Sequence, residues 1–217
     1  MPASFNIEAL KAQAIIARTY TIKALNTGKK LTDTTSTQVY KTDSELKSTW
    51  GSNYNTYYNK IKKAVDTTKD LILTYKGILI EAVYHSTSNG KTEDSSNVWK
   101  NSFPYLVSVD SPYDITNKNF KTTIFFTYNE LSNKLNTTIN YDTTFNIIHN
   151  ESGRVSTITF NDITLTGVEF RSKLGLRSSD FILEKTNEGI NITTKGYGHG
   201  VGMSQYGANG MANNGSN

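Results

Sequence analysis

Between Gly196 and Gly207 the chain places five glycines in twelve residues, in the run Gly196-Tyr197-Gly198-His199-Gly200-Val201-Gly202-Met203-Ser204-Gln205-Tyr206-Gly207. Such density suits a backbone that needs dihedrals closed to other residues, or that must approach another segment closely. One histidine and a Ser-Gln pair sit inside it, so the stretch reads as a site-forming loop. A helix is expected to begin at Ser204 and run to about Met211.

The remaining chain leads up to this loop with mixed elements. Ser4 to Asn6 supply caps for a helix over about Ile7–Leu25, stopped by Asn26-Thr27-Gly28. Ile7, Leu10, Ala14, Ala17, Thr21 and Ala24 share one face of it, a mostly small stripe, while periodicity alone puts Lys11, Gln13 and Arg18 on the solvated side. A strand is expected at Gln38–Tyr40 and helices at Asp43–Trp50 and Tyr54–Thr67. Leu71–Tyr75 and Ile78–Tyr84 read as a hairpin turned by Lys76-Gly77, the second strand buried and leading into the polar loop His85–Glu93. Polar loops on rigid strands are favoured places for sites. Trp99 and Phe103–Val109 form an aromatic strip suited to stacking on sugar rings, or to ordinary burial. Short strands follow at Lys121–Tyr128, Arg154–Phe160 and Ile163–Leu165, a helix at Val168–Leu174, then strands at Phe181–Lys185 and Ile190–Lys195. The expected class is α+β, with helices and antiparallel strands. A single core domain over 1–115 and 181–217 carries a small α+β insert at about 116–180.

Composition narrows the function. The net charge is +4 and the lysines are dispersed, which suits an anionic surface or polymer and lacks the clustered footprint of a nucleic-acid binder. Without cysteine there is no disulfide, thiolate chemistry or cysteine-based zinc site. His85, His149 and His199 lie too far apart in sequence for a His-x-x-x-His pair. No run approaches the roughly 18 apolar residues of a membrane span, and no signal peptide is visible.

The residues alone leave the reaction open. A triad drawn from Ser86 or Ser88, His85 or His199, and Asp94 or Asp114 lacks the Gly-x-Ser-x-Gly elbow. The glycines match neither a phosphate loop nor a dinucleotide fingerprint. Glu8, Glu81, Glu93, Asp94 and Asp114 lie near the expected site loops, but spacing does not pair two of them as a glycosidase would require.

Four stretches in order resemble the stage II sporulation protein D (SpoIID)/LytB family of peptidoglycan lytic transglycosylases. They are Met1–Phe5 with Glu8–Ala14 and Ala17–Tyr20, then Tyr84–Glu93, then Pro104–Leu106 with Ser108-Val109, and last Gly196–Ala208. The resemblance implies cleavage of the β-1,4 bond between N-acetylmuramic acid and N-acetylglucosamine with a 1,6-anhydro product. One carboxyl would act as acid and then base, its pKa raised by burial or apolar contact. The family's acid immediately precedes Met-Pro-x-x-Phe, a position before Met1; within the chain Glu8 is the nearest carboxylate, at a helix start where a glutamate commonly serves the dipole. Site-lining residues carried over are Lys11, Gln13, Arg18 and Tyr20, then His85, Ser86 and Ser88, then His199, Ser204 and Gln205. Lys11 and Arg18 thereby change from surface charges to positioning groups. The resemblance also implies zinc bound through cysteines in some family members; with no cysteine here, no metal or cofactor is expected. The implied setting is outside the cytoplasmic membrane during engulfment, in a membrane-anchored assembly with an amidase partner and glycan strands as substrate. The rival reading is a non-catalytic, wall-binding amidase enhancer; a glycan hydrolase is a third.

Overall fold

Three Thr-x-x-Glu sequences set the starts of three helices. At Thr42/Glu45, Thr127/Glu130 and Thr166/Glu169 the threonine hydroxyl accepts from the glutamate's backbone N–H and the glutamate carboxylate accepts from the threonine's, which satisfies two otherwise unpaired donors at once. In the structure, a computed structural model describing residues 1–217, these begin α2 (Asp43–Trp50), α4 (Tyr128–Leu135) and α5 (Gly167–Leu174). Asn136 and Gly175, both left-handed, end α4 and α5.

The mixed α+β class is confirmed, and the chain forms two compact units, Met1–Tyr84 with Ala208–Asn217, and His85–Gly207. The first unit is built on α1 (Ile7–Asn26), whose residues are all at least partly covered from Ile7 to Ala24. Its fully buried positions are Ala9, Leu10, Ile16, Thr19 and Ala24, so the covered face is rotated from the small stripe expected from sequence, and only Leu10 and Ala24 are shared. The cap is Asn6, whose side chain accepts from the Glu8 N–H while its own N–H donates to Asn209 at 2.8 Å. Asn209 lies on α6 (Gln205–Asn213).

Against α1 packs α3 (Tyr54–Thr67). Arg18 closes the end of that helix, its guanidinium donating to Thr68 O at 2.7 Å, Leu71 O at 2.9 Å and Val65 O at 3.3 Å. Terminal carbonyls of a helix lack intrahelical partners, so a guanidinium there has a structural task. Arg18→Ala is expected to destabilise the chain by about 1–2 kcal/mol. Arg18→Lys should restore only part of this, because an ammonium cannot serve three spread carbonyls; urea denaturation of both variants checks it.

Two expected strands differ. Gln38–Tyr40 is not a strand: the Gln38 amide instead donates to Ala17 O at 3.1 Å and Thr21 Oγ1 at 2.9 Å. The hairpin shrinks to β1 (Thr74–Tyr75) and β2 (Ile78–Leu79), and Ile78, expected to be buried, is 73% exposed. A two-residue ladder has no second layer to cover it. Tyr84 instead enters β3 (Tyr84–His85), which pairs with β10 (Met203–Ser204).

The second unit holds the large apolar core. Here β4 (Lys121–Thr127), β9 (Gly189–Lys195) and β8 (Phe181–Lys185) form one antiparallel sheet with β9 central; β5 (Asn146–His149), β6 (Val155–Phe160) and β7 (Ile163–Thr166) form another. Alternation along β6 and β9 turns Ile158, Phe160, Ile190 and Ile192 inward, and Val155, beyond a register shift between β5 and β6, joins them to meet Leu131 and Leu135 of α4 and Phe170 and Leu174 of α5. Phe170 stacks on Phe181 with ring centres 5.0 Å apart. Residues 116–180 thus share one core with β8 and β9. α4 and β5 were not foreseen from sequence. No helix is long and apolar enough to cross a membrane.

Candidate active site

The glycine-rich loop of the second unit is pinned to the loop that follows β3. Thr87 and Tyr197 exchange backbone hydrogen bonds at 3.1 and 2.7 Å, Tyr206 N donates to Ser86 O at 3.1 Å, and Glu93 N donates to Gly200 O at 2.8 Å. Gly196, Gly198, Gly200 and Gly202 all have positive φ. At Gly198 (φ +120°) an added Cβ would stand 2.7 Å from the His85 Cβ. Both reasons for a glycine, unusual dihedral and close approach, apply here.

Beneath this surface lies a buried carboxylate. Asp114, fully enclosed, accepts from Ser88 N at 2.8 Å, Ser88 Oγ at 2.8 Å and Ser111 Oγ at 2.5 Å, and also from Ser204 Oγ. Three loops are therefore joined at one anion whose charge is met by four donors, the condition under which a buried carboxylate is tolerated. Beside Gly207, Ser111 Oγ and then Asp114 Oδ2 leave no room for a Cβ.

A second buried acid backs the same loops. Glu93 accepts from Asp94 N, Asn97 Nδ2, Asn150 Nδ2 and Ser152 Oγ at 2.7–2.9 Å, with Arg154 Nη1 at 3.9 Å. Arg154 donates to Lys91 O at 2.9 Å and to Ser152 Oγ at 3.0 Å, and its guanidinium covers the Gly200 Cα; its Nε is buried without a hydrogen-bond partner.

Above these anions sits an aromatic cluster. The His199 ring centre is 5.8 Å from that of His85 and 5.1 Å from that of Trp99. Val201 sets both imidazoles: its carbonyl pairs with His85 Nδ1 at 3.1 Å, and its N–H donates to His199 Nδ1 at 3.1 Å. A carbonyl can only accept and an N–H can only donate, so neutral His85 carries its proton on Nδ1 and neutral His199 on Nε2. His85 Nε2 is left as a buried lone pair without a hydrogen-bond partner. Burial, then the neighbouring His199, Arg154 and Arg171 charges, pull the His85 pKa down to about 3, against the weaker opposing effect of the Val201 carbonyl.

This depression carries a sign. The unfolded chain takes up the His85 proton near pH 6.5 and the folded chain does not until about 3. Stability contributed by neutral His85 is thus fully present above pH 6.5 and drains away as pH falls toward 3. His85→Asn keeps a donor for Val201 O and removes the titration. Its urea midpoint is expected to fall less steeply than the parent's between pH 6.5 and 4; equal slopes would sink the assignment.

The residues singled out from sequence fall in both units. Lys11, Gln13, Arg18 and Tyr20 belong to the first. Lys11 pairs with Glu8 at 2.8 Å, Arg18 closes α3 as described, and the Tyr20 hydroxyl accepts from Lys29 at 2.9 Å. His85, Ser86, Ser88, His199, Ser204 and Gln205 are brought together in the second. Ser88 and Ser204 turn their hydroxyls inward to Asp114, whereas Ser86, His199 and Trp99 are partly exposed and able to meet a ligand. All five candidate carboxylates are engaged: Glu8 by Lys11, Glu81 by Lys23 at 2.7 Å, Asp94 by Ser96, and Glu93 and Asp114 as above. Ser88 donates to Asp114 rather than to a histidine, which is unlike a nucleophilic triad. Arg154 was missed from sequence, where it reads only as the start of a strand.

Comparison with known proteins extends this geometry. A family model described as stage II sporulation protein (SpoIID) matches residues 1–75. The chain is 44% identical over 99% of its length to stage II sporulation protein D of Bacillus subtilis (strain 168), covering 66% of that protein, and 44% identical to the Bacillus amyloliquefaciens protein of the same name, covering 65%. It is also 30% identical to an amidase enhancer of B. subtilis, over 98% of this chain and 36% of that protein. The chain thus spans just under two thirds of the length of the first two relatives.

Proposed function

The chain belongs to the stage II sporulation protein D family, and we propose that it acts on bacterial cell-wall glycan as a lytic transglycosylase during sporulation. The observation that carries this reading is the partly exposed His199–Trp99 surface, an indole face beside an imidazole whose Nδ1 accepts from the Val201 N–H. Carbohydrate recognition needs such a combination: an aromatic face for the apolar side of a pyranose and a fixed donor for its hydroxyl or acetamide oxygen. Ser86 adds a hydroxyl at the same place.

In the proposed reaction a carboxylic acid donates its proton to the bridging oxygen as the C1–O4 bond between N-acetylmuramic acid and N-acetylglucosamine breaks. The 6-hydroxyl of the muramic acid then bonds to C1, and its proton passes to the carboxylate, restoring the acid. The proposed acid is the glutamate that the family motif carries immediately ahead of Met-Pro-x-x-Phe. His199 and Trp99 are the proposed positioning groups of the second unit, and Lys11, Gln13 and Tyr20 are those of the first. The proposed setting is extracytoplasmic, in a membrane-anchored assembly with an amidase that first removes stem peptides.

The test is product analysis. Purified glycan strands incubated with a chain extended through the motif glutamate should yield 1,6-anhydromuramyl ends, and replacing that glutamate by glutamine should abolish them. Reducing muramic acid ends would indicate hydrolysis instead. The name of the 30%-identical relative favours one second reading, an amidase enhancer. Glycan binding with amidase stimulation and no anhydro product would establish that reading and end the first.

A further inference from the structure

Helices α2 and α3 leave their aromatic rings only partly covered. α2 buries no residue and α3 only Ala64, yet Trp50, Tyr54, Tyr57 and Tyr58 form one ring cluster. Trp50 meets Tyr57 edge-on at 5.7 Å and Tyr54 at 6.2 Å, and Tyr54 stacks on Tyr58 at 5.6 Å. Tyr58, at the end of the row, is 44% exposed. Rings contribute most to a fold when covered, so a row of partly wet rings is poorly explained by folding alone.

The surroundings suit a sugar. Tyr54 donates its phenol to Asp43, which pushes its pKa up to about 12 and keeps the hydroxyl neutral. The Lys47 ammonium lies 5.2 Å from the Tyr54 ring centre and pairs with Asp43 at 2.7 Å. Asn53, Asn55 and Asn59 are exposed along the same helix start and first turns, offering paired donors and acceptors for hydroxyls and acetamides. Tyr54 and Tyr58 are four residues apart, about 6 Å along the axis, comparable to the length of one pyranose along a β-1,4-linked strand. Charge agrees: the first unit holds 12 Lys and Arg against 7 Asp and Glu, a field that favours an anionic polymer. Muramic acid freed of its peptide carries a lactyl carboxylate.

We propose that the Trp50–Tyr54–Tyr58 face of α2 and α3 is a glycan-stacking platform that holds a β-1,4-linked, carboxylate-bearing amino-sugar strand independently of the His199–Trp99 surface. The identity of that strand rests on the functional reading above. The platform raises the residence of the chain on its polymer and takes no part in bond cleavage.

The probe is a purified strand of alternating N-acetylglucosamine and N-acetylmuramic acid, free of peptide. Trp50→Ala/Tyr58→Ala is expected to weaken binding about tenfold, the equivalent of one or two lost stacking contacts, while Tyr58→Trp restores or strengthens it. Trp50→Phe, which keeps a ring, separates stacking from folding. It should retain binding and lose the part of the fluorescence change on glycan addition that Trp50 reports. His199→Ala serves as the arm for the other surface. Glycan binding by the parent that is unchanged in the double variant overturns the platform and leaves the functional reading standing. A parent that binds no glycan overturns both. Loss of a protein contact with glycan affinity intact would show that the face meets a protein, and likewise overturns the proposal.

Discussion

Asp114→Ala is expected to destabilise the chain by about 3–5 kcal/mol, the range for removing one partner of a buried charged network. The carboxylate is fully enclosed and takes hydrogen bonds from Ser88 N, Ser88 Oγ, Ser111 Oγ and Ser204 Oγ. Alanine would leave four donors facing a void from which water is excluded, and each orphaned group costs about 1–3 kcal/mol before relaxation. Asp114→Asn fills the same volume and keeps one carbonyl acceptor, and the serine hydroxyls can rotate to accept from its amide; about half the loss should return. Ser88→Ala and Ser204→Ala should each cost less in the Asp114→Ala background than in the parent, because they share its network. Urea denaturation measures all of these. An Asp114→Ala chain within 1 kcal/mol of the parent would show that the three loops are held by something else.

Gly200→Ala should cost about 3 kcal/mol and, through His199, weaken the proposed glycan binding at least tenfold. At φ +84° an alanine is strained, and its Cβ would lie 2.6–2.8 Å from the Nη2, Cζ and Nε atoms of Arg154. That guanidinium has no free direction to move: Arg154 and Glu93 are each 2% exposed, and one nitrogen is tied to Lys91 O. Either the loop lifts, displacing His199 beside it, or the arginine leaves Glu93 as a buried charge. Arg154→Lys makes a diagnostic background, since a slender ammonium gives way. The penalty of Gly200→Ala should shrink there by more than 1 kcal/mol, and a fully additive pair would remove Arg154 from the explanation.

The roles of Asp114 and Gly200 are set by groups distant in the chain, unlike those of the local elements. Local rules located α1, α2, α3, α5 and α6 to within about two residues, and β6 to β9 nearly as closely, because caps, left-handed stops and alternation act over a few positions. The start of α4 is as legible, in Thr127-Tyr128-Asn129-Glu130, although the strand pattern of Lys121–Thr127 runs directly into that cap. The hairpin failed for a different reason. Leu71–Tyr84 has strand composition, but composition does not say whether a second layer exists to cover a strand, and here β1 and β2 remain short and exposed.

The sequence by itself determined that the Gly196–Gly207 run must make a tight, specialised loop near a polar hairpin end, and its motifs together determined the family. Only the tertiary structure decided what each polar residue does there. Ser88 and Ser204 looked like ligand groups and turn inward to Asp114; Asp114 and Glu93 looked like candidate acids and are internal anchors; Arg154 looked like a strand residue and holds the loop from behind. The tautomers of His85 and His199 are likewise set from one distant residue, Val201. Dihedral demands are written into neighbouring residues, so glycine content can be read directly. The role of a charge or hydroxyl depends on which groups from other loops face it and on whether water reaches it, and both are fixed only when segments far apart in the chain close on one another.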